Sequence, residues 1–140
     1  MSGVISPAFA HAILEWRWTW PIARLALVAM FLVSGISKLA KFSGGVAEMK
    51  DAGLPAPVIM AILSIAVELT GSVLVLANRW VWLGAGMLGA FTAIGAVTAH
   101  APWRVSGQAR KEALAVFFMH FGLVAAFVLD ALLAEQAVGR

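Results

Sequence analysis

Of 140 residues, 62% are hydrophobic and only 12% charged, with no Cys and a formal net charge of +3; mean hydropathy is +0.94. A soluble domain carries about 25% charged residues, and a sphere this small has too much surface for the polar side chains present to cover it in water. The same numbers exclude disorder, which needs low hydrophobicity, and the lack of Cys excludes disulfides, thiolate catalysis, iron–sulfur clusters and thiolate zinc sites.

Residues 1–19 predict a short interfacial arm. They lack the basic start and unbroken apolar centre of a cleaved signal, and Trp16, Trp18 and Trp20 gather where amphipathic rings settle, at headgroup level. A hydrocarbon core about 30 Å thick takes about 20 mostly apolar residues per helix. Four windows reach that length, at about 21–40, 57–77, 80–99 and 112–134. They are too long for barrel strands of about 10 residues. The expected fold is therefore all-α: a four-helix transmembrane bundle, up-down-up-down, over residues 20–134, with residues 135–140 as a tail.

Pro21, Pro55 and Pro57 suit first-turn positions, where the missing N–H costs nothing. Gly44-Gly45 and Ala52-Gly53-Leu54-Pro55 mark the first connection as irregular. Asn78-Arg79 is a very short turn, which makes spans two and three antiparallel neighbours. Ala101 to Arg110 reads as the third loop, and Trp80, Trp82 and Trp103 are belt anchors around span three. Lys41, Lys50, Arg104, Arg110 and Lys111 fall on loops one and three, against Arg17, Arg79 and Arg140 on the other side. This places loops one and three in the cytoplasm and both termini outside. The basic excess suits lipid headgroups, not nucleic acid.

A charge near the bilayer centre costs about 2.5–3.5 kcal/mol, so each one asks for a partner. At about 1.5 Å per helical residue, Glu68 falls near the midplane, His120 and Thr92 share one level, and Arg24 lies towards the opposite face. The long Arg24 side chain can bridge an axial gap. One interior cluster is expected, with one member per span: Arg24, Glu68, Thr92 and His120. Two readings stay open, a neutralised ion pair that pins helix order and a polar cavity for a small headgroup, a quinone carbonyl or a proton relay.

Ser34, Lys38, His100 and Asp130 are secondary polar positions. Lys38, like Lys41, is expected to snorkel to the surface, and Asp130 competes with Glu68 for Arg24. His100 ends span three near the loop face, with His120 about 12 Å deeper, so the two are poorly placed to share a haem. Three scattered His without Cys make no zinc or copper set, and no Glu-x-x-His pair exists for a di-iron site. No metal, no catalytic residue and no cofactor held by the chain's own ligands are assigned. The row Ala85, Gly89 and Ala93 allows close helix approach, either to span two or four or to a partner subunit or second copy.

Phe31-Leu32-Val33-Ser34-Gly35-Ile36-Ser37-Lys38-Leu39, Gly53-Leu54-Pro55, Glu68-Leu69-Thr70-Gly71 and the closing Thr98, His100 and Trp103, in this order after Arg24, resemble the DoxX family of small four-helix membrane proteins. The resemblance covers roughly residues 20–134. It implies Arg24, Lys38 and Glu68 as recurrent polar positions. It also implies association with quinone-linked sulfur oxidation, where one family member is a small subunit of a thiosulfate:quinone oxidoreductase. Other relatives sit in oxidative-stress complexes beside a superoxide dismutase and a sulfurtransferase. Where the family commonly has a Lys-Asn pair in span four, this chain has Met119-His120, which replaces a fixed charge by an imidazole. The expected role is a non-catalytic accessory or anchor subunit in the bacterial cytoplasmic (inner) membrane. The alternative is a stand-alone binder or carrier of a small amphiphile, with quinone or lipid as the occupant.

Overall fold

The computed structural model describes residues 7–138. It contains helices α1 (Ala8–Glu15), α2 (Thr19–Ala40), α3 (Phe42–Asp51), α4 (Pro57–Leu76), α5 (Val81–Thr98) and α6 (Gly107–Val138), with a 3₁₀ turn at Pro102–Arg104. Four of these, α2, α4, α5 and α6, are long and apolar enough to cross a membrane. Their outward faces carry large apolar side chains such as Met30, Ile62, Ile94 and Leu129. That distribution is the reverse of a water-soluble bundle and suits acyl chains as the surrounding medium.

Helix α1 buries nothing. It is tied to α2 by the Thr19 hydroxyl, which donates to the Ile13 carbonyl, and exposed Trp16, Trp18 and Trp20 follow at the junction. The sequence reads the stretch after span one as irregular, but α3 occupies most of it. Its stop is a Schellman turn: Gly53 has φ +70, its N–H bonds the Lys50 carbonyl and the Leu54 N–H bonds that of Met49. The same device ends α4, with Asn78 in the left-handed position. The Asn78 N–H reaches Val75 and the Arg79 N–H reaches Leu74.

Helices α4 and α5 approach backbone to backbone. A Cβ built on Gly84 would lie 2.7 Å from the Gly71 carbonyl oxygen, so only glycine fits this crossing. Ala85 and Gly89 are buried within the chain; a Cβ at Gly89 would rest 3.8 Å from that of Phe127 on α6. These two members of the small-residue row thus serve packing between spans three and four, and they floor an outward groove of about 630 Å³ between α5 and α6. Ala93 is half-buried.

Helices α2 and α6 close the bundle differently. Their backbones hardly approach, and large side chains join them instead. Phe31 meets Phe127 edge-on at 5.6 Å between ring centres, within a core that includes Val28, Val75 and Leu88. Helix α6 begins at Gly107, earlier than the apolar run suggests. Gln108, Arg110 and Lys111 look like loop by polarity, yet a polar turn outside lipid satisfies its backbone best as helix. At about 1.5 Å per residue this 32-residue helix is about 48 Å long, well beyond a hydrocarbon core of about 30 Å.

Candidate functional site

The buried face of α2 carries Arg24, Val28, Phe31, Gly35 and Lys38, at helical spacing. The buried face of α4 carries Ser64, Ile65, Glu68, Gly71 and Ser72. Where these faces meet, Lys38 Nζ lies 3.1 Å from Glu68 Oε1 and 3.4 Å from Oε2, and donates to Ser64 Oγ at 3.2 Å. The Ser34 hydroxyl donates to Glu68 Oε1 at 2.9 Å. Glu68 is 2% exposed and Lys38 7%. Burying either charge alone would be costly; together they form a satisfied network.

The expectation that Lys38 snorkels is therefore corrected. A carboxylate lies within reach inside the bundle, and α3 covers the outward route. A Cβ on Gly45 of α3 would stand 3.3 Å from Lys38 Cβ and Cγ. From the same helix the exposed Glu48 approaches Lys38 Nζ at 3.7 Å, linking the buried pair to the surface.

Beside this pair is a cavity of about 280 Å³. Phe31, Phe91 and Met49 give it apolar walls, and Ser34, Lys38, Glu68, Thr92, His100 and His120 supply polar ones. Lys38 Nζ sits 5.8 Å from the centre of the Phe91 ring, a cation–π contact. Thr92 faces the cavity, but its hydroxyl donates to the Leu88 carbonyl of its own helix at 2.7 Å. His120 Nδ1 meets the Val116 carbonyl at 2.8 Å.

The rings of His100 and His120 stand 4.9 Å apart, tilted by 45°. This overturns the expected axial separation. His120 lies 13 residues into α6, about 20 Å from its start. The third connection must therefore run outward past His100 before α6 turns back alongside it. Trp103 against Phe117, at 5.8 Å between ring centres, marks that passage.

Arg24 does not join the cluster. Its Nε donates to Asp130 Oδ1 at 2.9 Å, its Nη1 donates to Asn78 Oδ1, and its guanidinium lies 4.7 Å from the Trp20 ring centre. Ten residues of helix separate it from Ser34, about 15 Å, which is beyond side-chain reach of Glu68. The competition between the two carboxylates is thus settled for Asp130. Arg24 Nη2 and Asp130 Oδ2 stay without hydrogen-bond partners. Of the four expected members, Glu68, Thr92 and His120 share one cavity and Arg24 belongs to a second site at the other end.

Three contributors were not singled out from sequence. Ser64 sits one helical turn before Glu68, a spacing that could have flagged it. Asn78 could have been found as a side chain left free by a turn that uses only its backbone. Glu48 carries no such signal, because its role depends on α3 folding over Lys38. Among the described residues, no group of three or more His, Asp or Glu is arranged to hold a metal ion.

The DoxX family model matches residues 19–101, which takes in α2 to α5 and both partners of the Lys38–Glu68 pair. The chain is 28% identical over 117 residues to the inner membrane protein YphA of Escherichia coli strain K12, covering 84% of each chain. No solved structure matches.

Proposed function

The chain belongs to the DoxX family, and on that footing we propose that it binds the polar head of a small amphiphile of the quinone class in the cavity beside Lys38 and Glu68. It does so as a non-catalytic accessory of a redox or sulfur- and oxidative-stress membrane complex. The observation that carries this reading is the coincidence of a buried ion pair, two imidazoles and aromatic walls around one space of about 280 Å³ in a membrane-spanning bundle. Ligand pockets are mostly apolar with a few convergent polar groups, and this one has that composition. The Arg24–Asp130 pair also adjoins a hollow of about 280 Å³, but no imidazole and no further charged residue lines that one.

The test is purification in mild detergent, followed by lipid mass spectrometry and by identification of co-eluting chains. A quinone retained by the wild type and lost from Lys38→Met and Glu68→Gln, both still folded, supports the pocket. A stoichiometric flavoprotein or sulfur enzyme supports the accessory role, whereas a lone chain with ligand leaves a stand-alone binder. No retained amphiphile, with added short-chain benzoquinone and its quinol both failing to bind, overturns the reading.

A further inference from the structure

The Lys38–Glu68 network engages the donors of Lys38 and Ser34. The ammonium of Lys38 meets Glu68, Ser64 and Glu48, and Glu68 Oε1 already accepts from Ser34 and Lys38. Thr92 spends its proton on Leu88. What stays open in the lining is acceptor capacity on Glu68 Oε2, met only by Lys38 at 3.4 Å, and on Glu48, together with the two imidazoles. The bond from His120 to the Val116 carbonyl decides what one of them can do. A carbonyl only accepts, so the ring proton must be on Nδ1. In the neutral ring that leaves Nε2 as a bare acceptor, and Nε2 has no partner among the described residues.

We infer that His120 Nε2 reads a hydroxyl on the ligand, so that the pocket favours the hydrogen-bond-donating form of its amphiphile, a quinol or phenol, over the carbonyl form. A quinone oxygen can only accept, and set against a bare imidazole nitrogen it would face lone pair to lone pair. A quinol O–H donates to Nε2, and its oxygen remains free to accept from the neighbouring His100 ring, 4.9 Å away between ring centres. Sites built to hydrogen-bond a hydroxyl discriminate strongly against analogues that lack it, because a buried polar atom is otherwise left unpaired. The inference rests on the pocket reading above and adds to it the ligand's recognised group.

The test uses the full chain in lipid nanodiscs, with a short-chain benzoquinone and its quinol as probes, under anaerobic conditions. The expected result is quinol binding at least about tenfold tighter than quinone. His120→Phe should erase that preference by weakening quinol while leaving quinone affinity within about twofold. A measurement independent of any variant is the imidazole ¹⁵N spectrum. The His120 Nε2 signal should move from a bare to a hydrogen-bonded position on adding quinol, and stay in place with quinone. Equal affinities, a preference for quinone, or an Nε2 that already carries a proton in the neutral ring would overturn the inference and leave the pocket intact. Failure of both probes to bind would instead overturn the pocket reading.

Discussion

Each end of the bundle buries an ion pair, and the two are solved differently. At one end Arg24 is clasped by Asp130, Asn78 and the face of Trp20, beside an open hollow of about 280 Å³ whose remaining walls are largely apolar, Leu27, Leu129 and Leu133 among them. At the other, Lys38 and Glu68 satisfy one another with Ser34 and Ser64, and adjoin a space lined by two histidines. The first arrangement joins α2 to α6 and to the turn after α4, so its worth lies in holding elements together. The second lies between α2 and α4, which already pack closely. Its charges are therefore less needed for assembly and free to shape a pocket. A membrane-buried charge is thus better read from what surrounds its pair than from its depth.

Removing one side of the clasp should have the largest effect. Arg24→Met leaves Asp130 as an unpaired buried carboxylate and should cost about 3–5 kcal/mol, seen as a large fall in the thermal unfolding midpoint in detergent. The double substitution Arg24→Met, Asp130→Leu should recover most of that loss; if it does not, the clasp holds more than the pair. Glu68→Gln should be milder, about 1–3 kcal/mol, because Lys38 keeps Ser64 and Glu48. Its main effect should fall on ligand retention. A stability loss equal to that of Arg24→Met would erase the contrast between the two ends. Smallest of all should be Thr92→Val, under about 1 kcal/mol, since the lost bond runs to its own helix. Ligand affinity should stay within about twofold, and a larger fall would promote Thr92 from wall to contact.

Hydropathy alone located the four spans, because about 20 apolar residues in succession have few other uses. Helix α3 was hidden because Ser43, Gly44 and Gly45 have low helix propensity. It forms through packing on α2 and α4, with glycine allowing it to lie against Lys38. Depth taken from the start of the apolar run sets the two histidines about 12 Å apart, whereas α6 begins farther out in polar sequence. Arg24 was misassigned for the reverse reason: its reach was overestimated while a nearer carboxylate, Asp130, stood at its own level. Pairing across helices depends on rotation about each axis as well as height, and rotation is weakly written in nearly uniform apolar stretches.

The tight Gly71–Gly84 crossing gives the molecule a spine, while α2 and α6 are its two covers, fastened by Arg24–Asp130 near one corner and by Phe31–Phe127 midway. Below that second fastening, at the height of the histidines, the cavity lined by Met30 and Ser34 of α2 and His120 of α6 lies between the covers. Parting them there would sacrifice little packing, so an oily guest could slip in sideways from the surrounding bilayer. Its supply would then follow how strongly it dissolves in lipid, with water solubility counting for little.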